Sequence, residues 1–127
     1  METKVYKLVS VNSAGSLVSF NNPNSKDIDC VEYKIGEFVY PKLEGSKLFA
    51  FSEKQNVVDF LNSIGYSVFS PYPKLFIAQA EDVEPGKYIS YDIVEFWRNP
   101  DLVIGGGKAP EGTLYCGSIK LLEEVKY

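Results

Sequence analysis

The sequence predicts an α+β fold, in which a mostly antiparallel sheet of about six to eight short strands is combined with a helix at 52–64 and a candidate second helix at 90–98. Short apolar and aromatic runs are separated by turns rich in glycine, proline and asparagine. One segment shows a clear helical periodicity. Because turns rather than helical crossovers join the runs, we expect neighbouring strands to be antiparallel.

Length and composition predict one compact unit. The chain has 127 residues, of which 45% are hydrophobic and 24% are charged. These values are typical of a globular protein, and the length suits a single domain spanning 1–127. A chain of this size buries about two thirds of its unfolded surface, so it can fold without a metal ion or a disulfide.

The first strand is predicted from residues 4–11, KVYKLVSV. Strand alternation places Val5, Val9 and Val11 on one face and Tyr6 and Leu8 on the other. Because both faces are largely apolar, we expect this strand to lie in the centre of the sheet.

Turn residues delimit the other predicted strands. The SAGS turn makes residues 4–20 a hairpin, and Gly36 indicates a bend between two extended pieces. The segment EPGK at 84–87 is typical of a turn. Further strands are predicted at 47–51, 66–70, 74–83 and 113–122, the last of them followed by a charged tail.

The helix at 52–64 is predicted from its cap and its apolar stripe. The segment SEKQ matches a capping box, in which Ser52 accepts from the N3 amide and Gln55 reaches back to the amide of Ser52. A stripe with i, i+3, i+4, i+7 spacing is formed by Val57, Phe60, Leu61 and Ile64. If Phe60 is buried, Phe60→Ala should cost about 3–5 kcal/mol.

Two structures fit the segment 90–98. As a helix capped by Ser90 and ended by Pro100, it aligns Ile93 with Trp97. As a strand, it alternates apolar and polar residues. The helical interpretation is slightly favoured.

Composition argues against several classes of function. Thirteen basic residues against 17 acidic ones give a net charge of −4, and Arg98 is the single arginine. Nucleic-acid-binding domains carry a basic footprint and use arginine forks, so we expect no nucleic-acid partner. The chain contains no histidine, the commonest general base and metal ligand. We therefore expect no metal site and no cofactor.

The glycine-rich segment VIGGGKAPEG at 103–112 matches neither of the two common phosphate-binding motifs. A P-loop needs Ser or Thr after Gly-Lys, and a dinucleotide loop needs glycine where Pro110 stands. We expect 105–110 to be a mobile surface turn that binds no nucleotide. The alternative is an anion-binding nest of backbone amides beside an ammonium, formed by Gly105, Gly106, Gly107 and Lys108.

The two cysteines, Cys30 and Cys116, form no CxxC or zinc motif. No histidine is present to activate either thiol, so no nucleophile is predicted. Two buried free thiols are the favoured interpretation, and neighbouring positions in the sheet are the alternative. The N-terminus lacks the apolar core of a signal peptide and no run reaches the length of a membrane span, so we expect a cytoplasmic protein without a membrane partner.

Clustered aromatic residues are the remaining feature of interest, in YSVFSPYPKLF and YISYDIVEFW. Packing in the core accounts for part of them. Tyrosine, tryptophan and arginine are also enriched at the centres of protein–protein interfaces. The candidate partner-binding residues are therefore Tyr72, Tyr88, Tyr91, Trp97 and Arg98.

Several segments occur in an order that resembles small proteins of bacteriophages and related viruses. They are VYKLVS, VEYKIGEFVYPK, KLFAF ahead of the capped helix, and GTLYCGSIKLL. The resemblance covers residues 5–64 and 113–122. It implies a viral origin and assigns no catalytic residue.

The order of strands and helix is also similar to that of ADP-ribosyltransferase-like split sheets. Those enzymes use Arg or His on the first strand and a late Glu, whereas this chain has Lys7 on that strand and no histidine. The sequence therefore favours a non-enzymatic protein-binding accessory factor that acts on a host or viral protein. The alternative is a small enzyme or nucleotide-binding domain that uses the loop at 105–108. Nothing in the sequence indicates the oligomeric state.

Overall fold

The computed structural model describes residues 3–11, 15–19, 31–41, 47–63, 73–86, 88–89, 107–108 and 111–126. These residues form eleven strands and one helix. The strands are β1 (Thr3–Val11), β2 (Leu17–Ser19), β3 (Glu32–Tyr33), β4 (Phe38–Val39), β5 (Leu48–Phe51), β6 (Lys74–Glu81), β7 (Glu84–Pro85), β8 (Tyr88–Ile89), β9 (Gly107–Lys108), β10 (Thr113–Cys116) and β11 (Ser118–Val125), and the helix is α1 (Lys54–Ser63).

Nine of these strands form one sheet, in the order β4–β11–β6–β1–β5–β10–β7, with β2 beside β1 and β3 beside β2. The remaining two, β8 and β9, pair with each other. The described pairs are antiparallel. A mostly antiparallel sheet with a helix is what the α+β prediction requires, although the eleven described strands exceed the six to eight expected.

The large sheet closes on itself. β6 pairs with β1 along one edge and with β11 along the other. Gly117 alone separates β11 from β10, and β10 pairs with β5, which returns to β1 through the pair Tyr6–Phe51. The pairing therefore runs in a circuit, β1–β6–β11–β10–β5–β1, that encloses an interior.

The interior holds the larger of two apolar clusters. Its residues come from six strands and from the residue before β3, and they are Val5, Val9, Val31, Tyr33, Leu48, Ala50, Phe76, Ala78, Ala80, Cys116, Ile119 and Leu121. Strand alternation explains the membership, because every second residue of β6 (Phe76, Ala78 and Ala80) points inward. Full burial of each large side chain stabilises the fold by about 1.5–3 kcal/mol.

The second cluster lies between α1 and the outer face of the sheet. Its members are Leu8, Phe51, Val57, Leu61 and Leu75, with Tyr6, Phe60 and Val125 packed against them. β1 is thus covered on both faces, with Val5 and Val9 inside and Tyr6 and Leu8 beneath the helix. The predicted central position of this strand is confirmed.

The apolar stripe of α1 is confirmed where the structure describes it. Val57 and Leu61 are buried, and Phe60 is half-buried with its ring centroid 5.5 Å from that of Phe51. Ile64 lies outside the described residues. The partial exposure of Phe60 makes the expected 3–5 kcal/mol for its truncation an upper bound.

The predicted capping box is wrong. The N–H of Ser52 donates to the carbonyl of Gly112 (2.9 Å), which leaves no amide proton for Gln55 to accept. Gln55 instead donates forward to the Oδ1 atom of Asp59 (2.9 Å). The start of α1 is therefore attached to the turn before β10 rather than capped by its own side chains.

The strand predicted at 113–122 is two strands, divided at Gly117, and the second extends through the predicted charged tail to Val125. The N–H of Gly117 donates to the carbonyl of Glu81 (2.8 Å). A Cβ atom at Gly117 would lie 2.9 Å from the Cβ atom of Asp82, so the close approach of the two strands requires glycine.

The turn predicted at 84–87 is also corrected. Glu84–Pro85 is strand β7, which pairs with β10, and the N–H of Gly86 donates to the carbonyl of Thr113 (2.8 Å). Pro85 is tolerated because β7 ends the sheet. The chain bends earlier, at Asp82, whose φ of 52° is unusual for a residue other than glycine.

Other predictions have mixed outcomes. The hairpin at 4–20 is confirmed by the β1–β2 pairing, and the bend at Gly36 by its φ of 85°. The predicted strand at 66–70 and the ambiguous segment at 90–98 lie entirely outside the described residues. Gly107 and Lys108 form strand β9, which corrects the turn predicted there.

We expect Leu61→Ala to lower the free energy of unfolding by about 2–5 kcal/mol, because it opens a cavity under α1. Phe60→Ala should cost less than the 3–5 kcal/mol of a fully buried ring, because part of that ring is already exposed. Asn62→Ala, at an exposed position of the same helix, is the control. Urea denaturation measures all three, and a Leu61→Ala protein as stable as the parent would contradict the packing.

Gly112→Ala should destabilise the protein more than Gly15→Ala. Both glycines have positive φ, 82° and 84°, which costs other residues about 1–2 kcal/mol. A Cβ atom at Gly112 would also lie 2.1 Å from the Oδ1 atom of Asn56, whereas nothing lies within 4 Å at Gly15. Thermal melting should show the difference, and Asn56→Ala should remove most of it. Equal losses at the two glycines would contradict the docking of α1 on this turn.

Candidate functional site

A lysine lies inside the closed sheet. Lys7 shares its face of β1 with Val5 and Val9, and only 7% of the residue is exposed. In the antiparallel register it stands opposite Phe76 of β6, a member of the interior cluster. Lysine is rarely buried to this degree unless it is paired, so this position is a candidate for function.

The ammonium of Lys7 makes two defined contacts. Nζ donates a hydrogen bond to the carbonyl oxygen of Phe49 at 2.5 Å. It also lies 5.4 Å from the ring centroid of Tyr33, within range of a cation–π interaction. These contacts connect β1 to β5 and β3 from the inside of the sheet.

Burial changes the proton affinity of two groups in this interior. Desolvation lowers the pKa of Lys7 to about 8, and the field of Cys116 opposes that change. Desolvation raises the pKa of the Cys116 thiol to about 11, while Lys7 and Lys47 oppose the change. Both groups are thereby pushed towards their neutral forms. The Cys116 thiol is buried and free, as predicted, and Cys30 lies outside the described residues.

An exposed apolar surface lies on the opposite side of the β4–β11 pair. Strand alternation turns Val39 towards the interior and therefore turns Phe38 and Tyr40 outward. On β11, Lys120 is the register partner of Phe38, with Nζ 4.8 Å from the centroid of that ring. We call this region the β4–β11 surface; it consists of Ile35, Phe38, Tyr40, Lys120 and Leu122.

Exposure on the β4–β11 surface is high for large apolar residues. Tyr40 is 62% exposed, Ile35 58% and Leu122 42%. Leu122 is displaced from regular pairing by an irregularity in the register with β6, between Leu121 and Glu123. The N–H of Gly36 donates to the carbonyl of Leu121 (2.8 Å), which holds the turn containing Ile35 beside this part of β11.

The site residues predicted from the sequence are largely untested. Tyr72, Tyr91, Trp97 and Arg98 lie outside the described residues, as do Gly105 and Gly106. The backbone of Tyr88 pairs with that of Lys108 across β8 and β9. Tyr88, a predicted partner-binding residue, is therefore a neighbour of Lys108, which belongs to the alternative anion-binding site. The roles of both residues remain predictions.

Sequence reasoning missed both regions described above. Lys7 shares the strand parity of Val5 and Val9, so alternation alone could have placed it in the interior. Tyr40 beside Pro41 was a weaker signal for an exposed ring at a strand end. The exposure of Leu122 depends on a local break in register, which has no signal in the sequence.

We expect the free energy of unfolding to rise by about 1 kcal/mol between pH 7 and pH 9. The pKa of Lys7 is about 8 in the folded protein against 10.5 for an exposed lysine, so over this range the unfolded chain binds the proton more tightly. Above pH 9 the trend should flatten, because the Cys116 thiol ionises more readily in the unfolded chain than in the folded one, where its pKa is about 11. Denaturant titration at several pH values measures this profile.

Lys7→Met should remove the rise and stabilise the protein at pH 7 by about 1–3 kcal/mol, since it replaces a buried charge with an apolar chain of similar length. Lys4→Met, at an exposed position of the same strand, is the matched control and should keep the parent profile. A destabilised Lys7→Met protein would show that the ammonium contributes more through its contacts than its burial costs.

Within the described ranges, no group of three or more His, Cys, Asp or Glu side chains is arranged to hold a metal ion. Among the same residues, no helix has the length and hydrophobicity needed to cross a membrane. No protein-family model, curated protein or solved structure matches the chain.

Proposed function

We propose that the protein is a non-enzymatic binding protein and that the β4–β11 surface contacts a partner protein. The observation that carries the proposal is the clustering of exposed apolar side chains. The large hydrophobic residues that are exposed in the described part of the chain are Ile35, Tyr40 and Leu122, and all three lie on β11, directly after β4 or in the turn before β4, which the backbone pairing holds beside each other. Single exposed apolar residues are normal, whereas a contiguous group is typical of an interaction site.

The composition of the surface supports a protein partner. Tyr40 and Phe38 supply aromatic area with little side-chain entropy to lose on binding. Two exposed charged residues lie next to these in the chain, Glu37 before β4 and Glu123 on β11. An apolar centre with a polar rim is the usual anatomy of a protein–protein interface.

Lys120 adds a positive charge to the β4–β11 surface. Its ammonium lies 4.8 Å from the centroid of the Phe38 ring, within range of a cation–π interaction. A carboxylate on the partner can pair with this ammonium without displacing the ring beneath it. We infer a partner that presents apolar side chains beside an acidic group.

The tyrosine-rich segments belong to the same proposal as further contacts. Tyr72, Tyr88, Tyr91, Trp97 and Arg98 are the residue types enriched at hot spots. The resemblance to small viral proteins supports a cytoplasmic host or viral protein as the partner. The rival function, an enzyme or nucleotide-binding domain, depends on Gly105–Lys108.

Replacing Tyr40 and Leu122 together by serine should reduce partner retention at least about tenfold, because two central apolar contacts are worth more than 1.4 kcal/mol together. The measurement is quantitative affinity capture from host lysate on the immobilised protein. The matched control is Lys54→Ser with Asn62→Ser, two exposed positions of α1. Proteins retained equally by all three versions are non-specific, and if every captured protein behaves so, the β4–β11 surface is not a binding site.

A second experiment distinguishes the proposed binding protein from the rival nucleotide-binding domain. Melting temperatures are measured with ATP, GTP and NAD for the parent and for Lys108→Ala. We expect no change, since Ala109 and Pro110 supply neither the hydroxyl nor the amide that phosphate and magnesium require. A nucleotide-dependent rise that Lys108→Ala abolishes would replace the binding-protein proposal with its rival.

A further inference from the structure

The closed circuit of strands has one short seam, between β1 and β5. The ladder between β1 and β6 runs from the pair Thr3–Ala80 to the pair Val9–Lys74. Between the described residues of β1 and β5, the ladder consists of the pair Tyr6–Phe51. A circuit of hydrogen-bonded strands opens first where the fewest backbone bonds must break, which in this sheet is the β1–β5 seam.

Lys7 spans this seam from the interior. It follows Tyr6 in the chain, and its Nζ donates to the carbonyl of Phe49 on β5. An ammonium has three N–H donors, and Phe49 supplies the one acceptor that the described residues give it. This hydrogen bond holds β5 against β1. The positive charge of the Lys7 ammonium is poorly compensated in the interior, however, and would be better hydrated if the seam opened.

We propose that the sheet opens locally along the β1–β5 seam, and that protonation of Lys7 promotes this opening and exposes the Cys116 thiol. Cys116 is fully buried on β10, where it pairs with Leu48 of β5. Movement of β5 away from β1 removes one wall of the interior beside this thiol. The fold thus contains a proton-sensitive opening that controls access to a reactive group.

The groups that face Lys7 set the direction of the pH dependence. β3 contributes the Tyr33 ring, β10 contributes Cys116, and the facing position on β6 is the apolar Phe76. Lys47, just before β5, acts on Cys116 in turn. Cys116 opposes the lowering of the pKa of Lys7, but desolvation is the larger effect, and no carboxylate among the described residues contributes. With a pKa of about 8 when closed and 10.5 when hydrated, Lys7 favours opening at neutral pH and less so at pH 9.

The experiment measures the rate at which Cys116 reacts with a disulfide reagent such as 5,5′-dithiobis(2-nitrobenzoate), in a Cys30→Ser protein under native conditions. Rates are divided by those of an unstructured cysteine peptide at the same pH. Between pH 7 and pH 9 we expect the corrected rate to fall about fivefold to tenfold, because the fraction of molecules with an open seam falls with the protonation of Lys7. In Lys7→Met the rate at pH 7 should be lower and its pH dependence should vanish.

Two controls make the proposal specific. Lys47→Met removes the other lysine that acts on Cys116 but leaves the seam intact, so it should keep the pH dependence. Labelling at low urea concentrations distinguishes a local opening, with a weak dependence on urea, from global unfolding, with the full dependence. The proposal is overturned if the corrected rate does not change with pH, if Lys7→Met keeps the parent profile, or if labelling follows global unfolding at every urea concentration.

Discussion

The fold depends on one close approach of two strands, at Gly117 and Asp82. There the long antiparallel pair formed by β6–β7 and β10–β11 bends, with Asp82 at positive φ and no room for a Cβ atom at Gly117. The bend lets β11 stay beside β6 while β10 reaches β5. Without it the sheet would remain open, and the interior cluster would have no wall on the β5 side.

Closure of the sheet explains why a lysine is found inside it. The residues of β1 that face inward are fixed by alternation, and Lys7 falls between Val5 and Val9. The result is a charge whose desolvation is unfavourable and whose main compensation is a carbonyl across the weakest ladder. The protonation of Lys7 therefore affects both the free energy of unfolding and, in our proposal, the opening of the β1–β5 seam.

Local patterns predicted the fold class, the first hairpin, the bend at Gly36 and the apolar stripe of α1, because each depends on residues close in sequence. The helix start was predicted wrongly because Ser52 bonds to Gly112, sixty positions away in the chain. The division at Gly117 was missed for a similar reason, since it depends on contact with Asp82. Closure of the sheet and burial of Lys7 follow from pairings between distant segments, which no local pattern contains.

The two regions of interest lie on opposite faces of the same sheet. β11 carries Leu121 into the interior and Leu122 to the solvent, so the irregular register at this point affects both faces. A partner on the β4–β11 surface would hold β11 and, through β6, the strand β1 that forms one side of the seam. Binding that rigidifies these strands would also reduce opening at Lys7, since a ligand that prefers the closed state shifts the population towards it. The exposed surface and the buried amine would then be linked through backbone pairing, without direct contact between them.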